Sequence, residues 1–115
     1  MSNPQKDKGD KAELEVQGIL QDLLGQPGPQ PIRRKLGAGR LDDQGDIDGV
    51  PDCTIQVANY SDFGRAVREK LAGCVDQQAR AGDTFGCSFI RRRGGSYVVV
   101  MTPEQWAVLY REATS

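Results

Sequence analysis

Apolar residues first recur at helical spacing at Val16, Ile19, Leu20, Leu23 and Leu24, which predicts a helix over about 8–24 with one buried face. Gly25 stands where a terminating glycine belongs, and Pro27, Pro29 and Pro31 forbid continuation. Residues 1–8 read as a flexible tail before a single domain over 9–115. Ile32–Leu36 reads as a short strand and Gly37–Arg40 as a flexible turn. Asp46–Asp48 forms a strand end that runs into a turn. Cys53–Asn59 forms the next strand, with Ile55 and Val57 on one face and Thr54, Gln56 and Ala58 on the other. Ser61 or Asp62 caps a second helix running to about Ala81. Phe63, Val67, Leu71, Cys74 and Val75 make its apolar side, and Arg65, Arg68, Lys70 and Arg80 an opposite basic surface. Phe85–Ile90 and Tyr97–Met101 then pair around the tip RRRGGS, with Val98–Val100 as a central strand. Thr102 and Pro103 start a last helix that buries Trp106, Leu109 and Tyr110. The order is α-β-β-β-α-β-β-α, an α/β fold with a mixed central sheet flanked by helices.

Composition narrows the chemistry. The chain has 115 residues and no histidine, which removes Ser-His-Asp and Cys-His hydrolases, a histidine general base and the usual structural zinc sites. Cys53, Cys74 and Cys87 are odd in number and widely spaced, so they read as buried free thiols. No apolar run reaches the ~20 residues of a membrane helix. The polar start MSNPQKDKGDK lacks a secretory h-region, so a cytoplasmic protein is the expectation.

Net charge is only −1, but charge is segregated. Arg33, Arg34, Lys35 and Arg40 precede a run of Asp42, Asp43, Asp46, Asp48 and Asp52, and Arg91, Arg92 and Arg93 are consecutive. A basic rim around an acidic centre suits phosphate binding around a cation; the same charges also suit solvated loops. The acidic run does not make an EF-hand, because placing Gly49 at the turn puts Gln44 and Ile55 at the first and twelfth ligand positions. Gly37-x-Gly39 lacks the third glycine of a dinucleotide loop. Hydrolysis of a phosphodiester needs an activated water and neutralised phosphate charge, and a hard cation held by oxygen ligands supplies both. Asp46 is its natural anionic ligand, Glu13 reaches it if the first helix packs on the sheet, and Gln56 offers an amide oxygen, with the Val57 carbonyl as a further donor. A carboxylate at Glu13 also suits a plain helix start, where the dipole favours it.

These stretches resemble the PD-(D/E)xK nuclease superfamily, and within it the archaeal-type Holliday junction resolvases and their phage and bacterial relatives. Lys8-Gly9-Asp10-Lys11-Ala12-Glu13 is similar to the opening K-G-x-x-x-E, Arg34 and Gly45-Asp46-Ile47 to the second motif, and Ile55-Gln56-Val57-Ala58-Asn59 to an I-E-V-K-N strand. The resemblance implies a restriction-endonuclease-like fold and a homodimer that cuts four-way DNA junctions with Mg²⁺, Mn²⁺ substituting, in a bacterial cell or phage-infected host. It implies catalytic roles for Glu13, Asp46, Gln56 and position 58, and phosphate contacts from Lys8, Arg33, Arg34, Arg40 and Arg91–Arg93. The departure is Ala58, where the family has a lysine. The expected origin is a lysine replaced to stop cleavage; the other is divergence, with a basic group supplied from elsewhere or activity lost. The rival functions are a non-catalytic DNA-binding module on the same fold and a small interaction domain.

Overall fold

A computed structural model describes residues 4–35 and 46–115. The elements are α1 (Pro4–Leu24), β1 (Arg33–Arg34), β2 (Ile47–Asp48), β3 (Cys53–Ala58), α2 (Phe63–Ala81), β4 (Phe85–Arg91), β5 (Tyr97–Val100) and α3 (Pro103–Thr114). The expected turn at 37–40, the end of the first strand at Leu36, the acidic Asp42 and Asp43, and Gly45 lie outside the described residues.

β3 and β4 are parallel, with Ile55 opposite Cys87, and α2 makes the crossover that parallel pairing requires. β5 returns antiparallel to β4, so this sheet runs β3-β4-β5. β1 and β2 form a separate two-residue antiparallel ladder. The Asp46 N–H donates to the Ile55 carbonyl at 2.7 Å and so ties the start of β2 to β3.

β3 is buried on both faces, and its alternation divides the core. Ile55 and Val57 meet Ala12, Val16 and Leu20 of α1, together with Ile32 and Ile47. Ala58 lies on the opposite face against Ala66 of α2 and Ile90 of β4, with Val98 and Val100 beside them. The sheet is therefore a middle layer between α1 and α2. The Asp62 carboxylate accepts from the Arg65 N–H to cap α2, and Gly82 at φ 72° closes it in the left-handed region.

Four expectations need correction. α1 begins at Pro4 rather than Lys8, so residues 4–8 are helical and not tail; proline suits a first helical turn, where its missing N–H is no loss. The buried line of α1 is Ala12–Val16–Leu20, and Leu23 and Leu24 are 74% and 49% exposed, beyond the last residue that meets the core. β5 is an edge strand, not a central one: β4 has partners on both sides, and Val99 on the outer position is 48% exposed. On α3 it is Gln105 that is buried. Trp106, Leu109 and Tyr110 are exposed, because α3 docks through Gln105, which accepts from Gln78 Nε2 at 3.0 Å. That contact rotates the aromatic stripe outward, where the Trp106 and Tyr110 rings stack at 5.4 Å.

Candidate functional site

Asp46 is held by its backbone from two sides. Its N–H bonds to β3, as above, and its carbonyl accepts from the Lys35 N–H at 2.9 Å. Its carboxylate then has little freedom. Oδ2 accepts from the Val57 N–H at 2.8 Å, and the Lys70 ammonium of α2 lies 4.0 Å from the same oxygen. Both side chains are largely enclosed, at 12% exposure for Asp46 and 23% for Lys70.

Lys70 was expected on an outward basic surface. It sits instead on the inward stripe of α2, in helical step with Ala66, Cys74 and Gln77, all buried. The Lys70 backbone carbonyl accepts from the Ser88 hydroxyl at 3.0 Å, which anchors that turn of α2 to β4. Two polar residues, Lys70 and Gln77, inside an otherwise small and apolar stripe were the available sequence signal.

Gln56 is 3% exposed. Its Nε2 donates to Oε1 of Gln77, so the two amides form a buried pair between β3 and α2. A Cβ on Gly73 would make only an ordinary van der Waals contact with Gln56 Oε1, at 3.5 Å. Ala58, on the same face, is 3% exposed in the apolar cluster around Ala66 and Ile90.

Glu13 belongs to the other face. It is turned inward rather than toward solvent, with Oε1 3.4 Å from Arg34 Nε and 18% exposure. Arg34 also donates to Asp10 at 2.8 Å, and its backbone N–H donates to the Gln17 amide oxygen. In the β1–β2 register Arg34 stands opposite Ile47, the neighbour of Asp46. Glu13 therefore addresses the hairpin that carries Asp46, while Gln56 is engaged by α2. Among the described residues no group of three His, Cys, Asp or Glu side chains converges as a metal site.

Of the expected DNA contacts, Arg33, Arg92 and Arg93 are exposed. Lys8 is half-buried, and its carbonyl accepts from Asn59 Nδ2 at 3.5 Å. Arg91 bonds to Glu15 at 3.1 Å. Arg40 lies outside the described residues.

Glu15 is a structural hub. Its Oε1 accepts from the Tyr97 hydroxyl at 2.6 Å and from Arg91 Nε. The Tyr97 hydrogen bond and then Arg91 hold its carboxyl below the ordinary range, with burial opposing them. Burial, then the Glu15 carboxylate, pushes the Tyr97 hydroxyl up.

Between β3 and the first turns of α2, the half-buried Tyr60 clusters with the exposed Arg65 and Glu69. The Tyr60 hydroxyl donates to Glu69 at 3.2 Å, and Arg65 both bonds to Glu69 at 2.8 Å and covers the Tyr60 ring at 5.2 Å. Comparison with family models, with characterised proteins and with solved structures finds no match to the chain.

Proposed function

We propose that this chain is a metal-dependent, structure-selective DNA endonuclease on a restriction-endonuclease-like scaffold, with four-way junctions as its substrate and Lys70 supplying the cation that Ala58 lacks. The carrying observation is the Lys70 ammonium 4.0 Å from the Asp46 carboxylate. A lysine rooted on α2 and one rooted at position 58 approach the face of β3 that also carries Gln56. The enclosure of Ala58 against Ala66 and Ile90 favours divergence over a lysine simply removed, because α2 fills the space such a side chain would need.

The donor chemistry suits magnesium, with manganese in its place: Asp46 and Glu13 are hard oxygen donors, and neither thiol nor imidazole stands among them. Asp46 would hold the ion, with Glu13 approaching from α1. When bound, such an ion activates water and neutralises phosphate charge. The chain's own contribution is electrostatic. The Val57 N–H fixes the direction of the Asp46 carboxylate. Lys70 places positive charge where negative charge grows on the phosphate, the kind of effect whose loss costs ~10²–10³ in rate. Arg33, Arg92 and Arg93 offer exposed charge to the phosphate backbone, which positions DNA without reading its sequence.

The test is a Mg²⁺ or Mn²⁺ cleavage assay on a synthetic four-way junction. The natural chain should cut, and Lys70→Ala and Asp46→Ala should each lose ~10²–10³ in rate while still binding the junction. Cleavage that persists in Lys70→Ala refutes the assignment of Lys70. A second reading, a DNA-binding module without cleavage, is favoured by the Gln56–Gln77 amide pair, which engages a side chain the metal would otherwise use. Salt-dependent junction binding with no cutting by the natural chain or either variant would select it.

A further inference from the structure

A cleft of about 480 Å³ opens beside the β1–β2 ladder, outside the Asp46–Lys70 pair. One wall is Pro29, Pro31 and Arg33, and the other is Asp48, Val50 and Pro51. Two glycines hold these walls together. A Cβ on Gly28 would stand 2.6 Å from Pro51 Cγ, so the Pro51 ring lies directly on the Gly28 backbone. A Cβ on Gly49 would stand 2.7 Å from Ile32 Cα, and Gly49 has φ 97°, a left-handed conformation that glycine alone adopts freely. The cleft is therefore preformed by backbone contact rather than by flexible side chains.

Its chemistry is that of a flat, apolar, partly anionic ligand. Proline rings and Val50 give broad apolar walls with no charge of their own. Arg33 and Asp48 face each other in the ladder register and are both exposed, so one end of the cleft offers a guanidinium and a carboxylate side by side. Lys35, 12% exposed and not part of the cleft lining, pairs with Asp48 at 3.5 Å. The guanidinium suits a phosphate, and the carboxylate beside it suits the amino edge of a base. Asp48 is two residues from Asp46, about 7 Å along an extended chain.

We propose that this cleft binds an unpaired nucleotide of branched DNA, its amino-bearing base between the proline walls and its phosphate against Arg33. This rests on the nucleic-acid reading above and adds the feature of the substrate that is recognised: a nucleotide out of the stack rather than the duplex itself. A base held between saturated proline rings is bound by apolar contact with its faces, which tolerates many sequences.

The experiment compares two labelled DNAs of equal duplex length at fixed salt, a fork with an unpaired guanine-containing arm and a blunt duplex. The natural chain should bind the fork about tenfold tighter, the scale of burying roughly 60 Å² of apolar surface. Arg33→Ala and Pro29→Ser, both at exposed positions, should each reduce the ratio of the two affinities toward one. Circular dichroism confirms that the variants fold. A photoreactive base in the arm should cross-link to residues 29–33 or 48–51. A natural chain that binds both DNAs equally overturns the cleft proposal and leaves the nucleic-acid reading intact. Cross-links elsewhere, or an unchanged ratio in both variants, overturn it in the same way. Absence of binding to either DNA overturns both readings together, and a cleft that instead takes up a proline-rich peptide in that case is a protein-docking site.

Discussion

Replacing Ala58 by lysine puts the motif residue of the resembled family back where the strand pattern expects it, and the structure gives a definite forecast. Ala58 is 3% exposed, and its neighbours Ala66 and Ile90 are fully buried. Extra methylenes in such a packed site cost about 1–3 kcal/mol. The ammonium must also find a partner, and Asp46 already has Lys70 at 4.0 Å. At that distance a unit charge pair is worth roughly 4 kcal/mol before desolvation at an effective dielectric of 20, so a second ammonium competes with the first rather than adding to it. An uncompensated buried charge costs about 3–5 kcal/mol. Ala58→Lys should therefore lose about 4–8 kcal/mol in a urea melt at pH 7, a large part of the ~5–15 kcal/mol available to a domain. The companion Ala58→Lys, Lys70→Ala variant should recover part of that loss, because the ammonium from β3 then has Asp46 to itself. An Ala58→Lys protein as stable as the natural chain and cutting junctions faster would refute the reasoning. It would mean that α2 leaves room for the side chain and that Lys70 is not the operative cation.

Three further outcomes follow from other contacts. Glu15 has a lowered carboxyl pKa, so its stabilising contribution is present above the ordinary range near pH 4.5 and is lost as pH falls through its folded value. Glu15→Gln should flatten the acid limb of a stability–pH curve, and Tyr97→Phe should cost about 1–3 kcal/mol near neutral pH, measured by denaturant titration. The Tyr97 contribution has the opposite sense: it is present below the ordinary tyrosine range and is lost as pH rises toward its elevated folded value. Burial pushes the Cys74 thiol up to about 11, whereas the Cys87 hydrogen bond moves Cys53 down. The same hydrogen bond with Cys53, and then burial, push the Cys87 thiol up, so mass spectrometry of a short iodoacetamide pulse should find Cys53 labelled before both Cys74 and Cys87; either of these labelled ahead of Cys53 would contradict the packing. Trp106→Asp with Tyr110→Asp should leave the monomer's stability within about 0.5 kcal/mol, because both rings are exposed. If α3 forms the dimer surface of a junction-cutting enzyme, the same pair of changes should shift sedimentation to the monomer.

The element order followed from local signals that did not depend on tertiary context: Gly82 and Thr102 as helix boundaries, the alternation of Thr54 through Ala58, and the RRRGGS tip. What periodicity could not supply was which of two faces a neighbour would take. α3 shows this. Its aromatic stripe is a good helical pattern, yet the Gln78–Gln105 contact sets the rotation, and no spacing rule anticipates an amide as the buried residue. Lys70 shows the converse. Grouped with Arg65 and Arg68 by charge, it belongs by helical step to Ala66 and Cys74, and step rather than charge decides where it points. Position 58 was read correctly as sharing a face with Gln56. Gln56 itself had a partner, Gln77, that lies 21 positions away and carries no motif.

α1 meets the sheet through one narrow line of small and medium residues, Ala12, Val16 and Leu20, and through charges along both flanks. Asp10 and Glu13 clasp Arg34 on one side, and Glu15 clasps Arg91 on the other. A helix fastened in this way is lubricated by salt. Added ions weaken the clasps by screening and leave the apolar line untouched. Hydrogen exchange in α1 should therefore quicken with ionic strength while the β3–β4 amides keep their protection, so ionic strength would govern how firmly Glu13 is presented to the hairpin.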